Sequence, residues 1–168
     1  MIVLTDVRKS YGPVVALDGV SARFGSGRTT VLIGPSGCGK STLLRTLIGL
    51  VEPDSGEVRI HDTVVAEGTV RSLRHRIGYV IQQGGLFPHL TAEQNVSLAA
   101  RHLRWKREEI RTRIEEVCGL VRYPVDRLDA WPGELSGGQR QRVSLARALM
   151  LRPEIGRASC RERELRLV

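Results

Sequence analysis

The stretch Gly34-Pro35-Ser36-Gly37-Cys38-Gly39-Lys40-Ser41 decides the fold of this chain. It fits the pattern G-x-x-x-x-G-K-[ST], in which backbone N–H groups wrap phosphates, the lysine reaches the β- and γ-phosphates and the hydroxyl holds Mg²⁺. A glycine-rich turn without a ligand is the plain alternative. The flanking sequence decides between the two interpretations, because the pattern needs a strand before it and a helix after it.

Both flanking elements are predicted. Thr29 to Ile33 is apolar enough to predict a strand buried on both faces. From Ser41 to Leu50 the leucines and Ile48 recur at helical spacing, and Gly49 followed by Pro53 marks the end of the helix. The sequence therefore predicts a nucleotide phosphate site at this loop.

The rest of the chain predicts an α/β protein. The predicted strands are Ile2–Lys9, Val20–Phe24, Glu57–Ile60, Thr63–Val65 and Ile77–Ile81. The predicted helices are Thr91–Leu103, capped by Thr91 with Gln94, then Trp105–Leu120 and Gly138–Leu151. The charged residues of the second of these helices predict a solvated face with i,i+4 pairs: Arg107, Glu108, Glu109, Arg111, Arg113, Glu115 and Glu116.

A second motif begins the last helix. Leu135-Ser136-Gly137-Gly138-Gln139 places a serine and two glycines at a helix N-terminus, where free N–H groups and the positive dipole end favour an anion. Taken alone, this is only a capped helix. Together with Arg140-Gln141-Arg142-Val143 and Ala146-Arg147-Ala148-Leu149, it resembles the signature motif of the ATP-binding cassette family.

This resemblance covers Ile2 to about Glu154 and implies ATP and Mg²⁺ as cofactors. It implies a phosphate-loop fold with a parallel-strand core, an N-terminal antiparallel β portion and a helical insert between Gln82 and Leu135. It implies that ATP contacts Tyr11, which stacks on adenine, the loop residues from Gly34 to Ser41, and Thr42. A strand-end surface tyrosine is the plain alternative for Tyr11.

Other roles are carried over at matching positions. Gln82 resembles the glutamine that touches Mg²⁺ and the attacking water and senses the membrane subunit. Gln83 beside it is the plain alternative, a loop amide, and the sequence hardly separates the two. Ser41 is the other expected metal ligand. In the family, the signature grips ATP bound to a second cassette. The resemblance thus implies a head-to-tail dimer in which Ser136, Gly137, Gly138 and Gln139 face the partner's nucleotide.

Composition narrows the possible classes of protein. The net charge of +8 would suit nucleic acid, but the arginines are scattered, so no nucleic-acid partner is expected. Cys38, Cys118 and Cys160 form no C-x-x-C pair, and the four histidines share no ligand spacing, so no disulfide framework or zinc site is expected. No apolar run approaches the roughly 20 residues of a membrane span. We expect a single domain that is neither secreted nor membrane-spanning.

The sequence departs from the family after Glu154. The family continues with an apolar run and Asp-Glu, which hold Mg²⁺ and orient water, whereas this chain reads Ile155-Gly156-Arg157-Ala158-Ser159-Cys160-Arg161-Glu162-Arg163. That string resembles the codon-by-codon translation of a common sequencing adapter. We therefore interpret 1–154 as a partial nucleotide-binding domain and 155–168 as a non-native tail. A cassette with a natural basic C-terminus is the alternative. Because the family's continuation after Glu154 is missing, we expect an incomplete fold with apolar sheet surface uncovered, and deficient ATP hydrolysis.

Three functions compete: a transporter ATPase, a soluble cassette acting on nucleic acid or ribosomes, and a nucleotide-binding fragment without turnover. Gln82 followed by Gly85-Leu86-Phe87-Pro88-His89-Leu90-Thr91 resembles the importer subfamily, in which this loop docks on a membrane subunit. Ile81 before Gln82 is similar to importers of glycine betaine, choline or carnitine. The expected partners are a second cassette, permease subunits and a substrate-binding protein, at the cytoplasmic face of the membrane.

Overall fold

A computed structural model describes residues 1–81, 85–159 and 164–167. The chain divides into two compact units, which are described separately. The first contains Met1–Ile77 together with the last described strand, and the second contains Gly78–Ser159. The predicted nucleotide-binding domain, 1–154, is divided between the two units, and each unit also takes in residues of the predicted tail.

The first unit is built on an antiparallel sheet. The strands are β1 (Ile2–Tyr11), β2 (Val14–Phe24), β3 (Thr30–Ile33), β4 (Ser55–Ile60) and β5 (Thr63–Val64), and the helices are α1 (Lys40–Leu47) and α2 (Glu67–Arg74). Sheet order is β2-β1-β4-β5, with Ile2 opposite Phe24 on one side and Ile60 on the other. The N-terminal antiparallel β portion is therefore confirmed.

Buried aliphatic side chains hold this unit together. Strands β1, β2 and β4 contribute Leu4, Val7, Leu17, Val58 and Ile60, while the helices contribute Leu44, Leu47 and Leu73. Helix α2 was not predicted, because Val70 and Leu73 are its only large apolar residues and they are too few to give a helical period.

Strand β3 differs from its prediction in two ways. Its exposure alternates, with Val31 37% and Ile33 74% exposed, so the prediction of burial on both faces is wrong. Successive strand side chains point to opposite faces, and only one face of β3 is covered. Its recorded pairing is antiparallel with β8 (Glu164–Leu167), where the sequence predicts a parallel neighbour. A buried parallel strand needs a continuous apolar run, whereas 164–167 alternates charged and apolar residues.

The second unit is mainly helical. It contains α3 (Ala92–His102), α4 (Arg107–Val121) and α5 (Gly137–Leu149), which pack against one another, with β6 (Ile77–Val80) and β7 (Ile155–Ser159) as neighbouring strands. Short 3₁₀ turns lie at Val125–Arg127 and Pro132–Glu134. The core between the helices includes Val96, Ile114, Val117, Val143 and Met150. The helical insert predicted before the signature is thus present.

Candidate nucleotide site

The phosphate loop joins β3 to α1, as its sequence pattern requires. Gly37 and Gly39 have φ of 82° and 88°, a left-handed conformation that favours glycine. Gly39 is also the N-cap residue immediately before α1, and no side chain caps that end of the helix. The first N–H groups of α1 therefore have no side-chain acceptor and can serve phosphate oxygens.

The Lys40 ammonium lies within the loop. Its Nζ donates to the carbonyl oxygens of Gly34 at 2.8 Å and Pro35 at 2.7 Å, and lies 3.3 Å from Cys38 Sγ. The loop residues Pro35 to Cys38 and Ser41 are exposed, while Lys40 and Thr42 are half-buried. The loop thus carries one cation and several backbone N–H groups, which suit phosphate oxygens, and one hydroxyl that can serve Mg²⁺ as a ligand.

The signature residues form a doubly capped helix end. Ser136 Oγ accepts from the Gln139 N–H at 3.2 Å, while the Ser136 N–H donates to Gln139 Oε1 at 2.8 Å. Arg140 fixes the preceding turn by donating to the Leu135 carbonyl at 2.6 Å. Ser136, Gly137 and Gly138 are exposed, so this end of α5 is open to another molecule.

Tyr11 lies at the end of β1 and is 49% exposed. Lys9 Nζ is 5.7 Å from the centroid of its ring and pairs with Asp54 at 2.6 Å. Asp54 also accepts from the Ser10 N–H at 2.7 Å. The hydrogen bond to Lys9 is the main cause that lowers the pKa of Asp54. An exposed ring beside a cation suits both interpretations of Tyr11, and its contact with adenine stays a prediction.

The predicted residue Gln82 and its neighbour Gln83 lie outside the described residues. The segment after them, Gly85–Leu90, is called the Phe87 loop below. Phe87 is 43% exposed, and its ring meets the His89 ring edge-on with centroids 5.9 Å apart. Arg147 of α5 donates to the Gly85 carbonyl at 2.9 Å and lies 5.8 Å from the Phe87 ring.

Two buried polar residues were not singled out from the sequence. Asn95 of α3 is fully buried and holds the Phe87 loop through hydrogen bonds. Arg113 of α4, which the sequence predicts on a solvated face, is only 6% exposed. It donates to the carbonyls of Leu149 and Met150 at 2.6 and 3.2 Å, because the last carbonyls of a helix lack intrahelical partners.

Arg113 also meets a carboxylate. Its Nη1 lies 2.5 Å from Glu116 Oε1, and Arg152 approaches the same carboxylate at 3.7 Å. The prediction of a solvated face holds for Arg111, which pairs with Glu115 at 3.5 Å, but is wrong for Arg113. A long buried arginine on a charged helix has the same sequence pattern as an exposed one, so only tertiary packing distinguishes them.

Within residues 1–81, 85–159 and 164–167, no group of three His, Cys, Asp or Glu side chains could hold a metal ion. Cys38 and Cys118 are free thiols, and burial raises the pKa of Cys118. None of the described helices is long and apolar enough to cross a membrane.

These features define a phosphate-loop α/β protein with a second, capped helix motif. A family model for the ABC transporter family matches residues 17–156. The chain belongs to that family.

Curated relatives agree. The chain is 40% identical over 156 residues to the choline transport ATP-binding protein OpuBA of Bacillus subtilis, covering 92% of this chain and 41% of that protein. It is 42% identical over 156 residues to the Bacillus subtilis glycine betaine/carnitine/choline transport ATP-binding protein, with the same coverage. Against the Escherichia coli glycine betaine uptake system ATP-binding protein it is 41% identical, covering 92% and 50%. Other relatives are named for iron(III), sulfate/thiosulfate or lactose. The chain therefore spans between two fifths and half of the first three relatives.

Solved structures give the same fold. A dimeric ATP-binding cassette in a post-hydrolysis state with ADP and Pi has 34% identity and a TM-score of 0.80, covering 91% of this chain and 71% of that one. The protein cbiO1 from Clostridium perfringens, part of the ABC transporter complex cbiONQ, has 26% identity and a TM-score of 0.78, covering 90% of this chain and 62% of that one. The predicted fold class is confirmed.

Proposed function

We propose that this chain is the nucleotide-binding part of the ATP-binding subunit of an importer, which couples ATP binding and hydrolysis to transport. The observation that carries the proposal is the position of Lys40, held by two loop carbonyls at the start of α1. Relatives whose names describe transport ATP-binding proteins support the same conclusion.

Each loop residue has a chemical task in this proposal. Lys40 exchanges its carbonyl partners for phosphate oxygens, which it neutralises, while the loop amides donate to the same phosphates. Ser41 offers its hydroxyl to Mg²⁺, and Gln82 is proposed as a further ligand that also contacts the attacking water. Mg²⁺, when bound, supplies positive charge against the charge that develops on the phosphates.

We further propose a head-to-tail dimer. The exposed N-terminal end of α5 offers backbone N–H donors, with Arg140 as the cation of its first turn. It therefore suits an anion that another molecule presents. The similar cassette of the post-hydrolysis structure is dimeric and bound to ADP and Pi, which supports this arrangement. Ser136 and Gly138 would then complete the site that Lys40 of the second copy begins.

A permease is the proposed membrane partner, with the Phe87 loop as the docking element on the cytoplasmic face of the membrane. We propose an osmoprotectant such as glycine betaine, choline or carnitine as cargo, because the first three relatives carry those names. Complementation with the full-length gene and its neighbours tests this, since uptake of a sugar or polyamine with no betaine uptake contradicts the cargo. Co-purification of the full-length product with RNA, and not with a permease, would instead support the soluble alternative.

As written, the chain is proposed to bind ATP without turning it over. No Asp-Glu pair follows an apolar run after Glu154, and loss of a general base alone costs about 10²–10⁴-fold in rate. We propose that 155–168 is a non-native tail; the family match, which ends at 156, is consistent with this. Independent sequencing reads that return the same codons after Glu154 would overturn the tail proposal.

A further inference from the structure

Asn95 is a buried amide whose side chain serves one segment of the chain. It lies in the first turns of α3 and is 0% exposed. Its Oδ1 accepts from the Phe87 N–H at 2.8 Å. Its Nδ2 lies within donating distance of the carbonyls of Phe87 at 3.1 Å, Leu90 at 2.9 Å and Thr91 at 3.0 Å. All recorded side-chain hydrogen bonds of Asn95 thus go to residues 87–91.

These bonds fix the shape of the Phe87 loop. The loop makes one backbone turn bond of its own across 87–90, from the Leu90 N–H to the Phe87 carbonyl at 3.2 Å. Without the amide, the Phe87 N–H would lose its recorded acceptor, and buried polar groups without partners are costly. The loop would therefore adopt other conformations that reach water.

The fixed shape presents a defined surface. Phe87 and His89 are both exposed and their rings contact each other edge-on, so the loop presents an aromatic surface beside Arg147. A preformed loop binds a partner more tightly than a mobile one, because less conformational entropy is lost on binding. Asn95 therefore fixes the conformation of an exposed surface although its own side chain is buried.

We propose that Asn95 is a positioning residue, which sets the affinity of the ATP-binding subunit for its permease by holding the Phe87 loop in its docking shape. The inference rests on the proposed function, since it assumes that this loop meets a permease. The recorded side-chain hydrogen bonds of Asn95 all go to residues 87–91, and none of these residues is proposed to bind nucleotide. Substitution of Asn95 should consequently weaken permease binding and leave nucleotide affinity unchanged.

The test uses the full-length gene product and its permease in lipid nanodiscs. Asn95→Leu replaces the amide by an apolar side chain of similar size, and Asn95→Ser is a milder variant that keeps one donor and one acceptor. Val96→Ala is the matched control, because Val96 is equally buried on the same helix and has no bond to the loop. The Kd for the permease, the Kd for MgATP, turnover at saturating permease and the Tm are measured for each variant.

We expect Asn95→Leu to weaken permease binding by about tenfold or more and Asn95→Ser by about threefold, with MgATP affinity and saturated turnover within about twofold of wild type. Val96→Ala should lower Tm without weakening permease binding. Wild-type permease affinity in both Asn95 variants overturns the inference, as does equal weakening by Val96→Ala, which would show a general loss of stability. If the unmodified subunit binds no permease, the proposed function itself fails, and this outcome is distinct because it needs no variant.

Discussion

A Cβ atom on Gly39 would lie 2.2 Å from the carbonyl oxygen of Ala16, closer than any real contact of that kind. The φ of Gly39 is 88°, which independently disfavours a side chain. Backbone space and backbone conformation therefore both require glycine at the N-cap of α1. The phosphate loop is held against β2 at this point.

Gly39→Ala is expected to lower the free energy of unfolding by about 2 kcal/mol or more and to weaken MgATP binding more than about tenfold. Gly68→Ala is the control, because Gly68 lies in α2 with nothing within 4 Å of the added Cβ. It should be neutral or stabilising by up to about 1 kcal/mol. Urea unfolding and calorimetric titration check both variants, and tolerance of Gly39→Ala would contradict the loop geometry.

Alanine substitution of two serines, one inside α5 and one at its N-cap, should change the free energy of unfolding in opposite directions. Ser144 is fully buried, and its hydroxyl has no hydrogen-bond partner in the part of the chain that the structure describes. Ser144→Ala should therefore raise the free energy of unfolding by about 1 kcal/mol. Ser136→Ala removes the cap at the start of the helix and should lower it by about 1 kcal/mol. Equal losses from the two changes in urea unfolding would show that Ser144 has a partner.

Arg113→Met tests the buried guanidinium at the end of α5. The change removes the Arg113 donor from both carbonyls; Leu149 keeps the Arg152 N–H at 3.1 Å, whereas Met150 loses its recorded donor, and we expect a loss of about 1–3 kcal/mol in unfolding free energy. The control Arg111→Met removes the same charge from an exposed position on the same helix, and it should cost less than about 1 kcal/mol. Similar losses from both would mean that Arg113 acts only as surface charge.

Glu116 should make the free energy of unfolding depend on pH in the acidic range. The hydrogen bond from Arg113 is the main cause that lowers the pKa of Glu116 below its ordinary value of 4.5. A carboxyl whose pKa is lowered by folding contributes stability above its unfolded pKa, and this contribution is lost as pH falls through the folded pKa. Urea midpoints of wild type should thus fall below about pH 4.5 more steeply than those of Glu116→Gln. Parallel curves would contradict the ion pair.

The sequence predicts motifs better than it predicts packing. The phosphate loop, Ser136 with Gln139 and Thr91 with Gln94 are local patterns, in which the interacting groups lie within a few residues of each other. Arg113 instead meets carbonyls 36 and 37 residues away, and no spacing rule reports such a contact.

The strand before the phosphate loop shows the same limit. Its apolar residues predict a strand correctly, but the exposure of Ile33 and the antiparallel partner depend on which segment covers it. Asn95 lies only eight residues from Phe87, yet its role depends on the fold of the intervening loop, so a buried asparagine could not be told from an exposed one. Local motifs were predictable because the same short sequence patterns recur in many proteins. Tertiary contacts were unpredictable, since they depend on how distant segments of this chain pack.

Equilibrium binding of MgATP to the purified 168-residue chain tests the central claim most directly. Lys40→Ala is compared with Arg45→Ala, which removes the same charge from an exposed position on the same helix. Wild type and Arg45→Ala should bind within about twofold of each other, and Lys40→Ala more than about tenfold more weakly, with no phosphate released in any sample. MgATP affinity unchanged in Lys40→Ala would contradict the assignment of the phosphate loop as the nucleotide site.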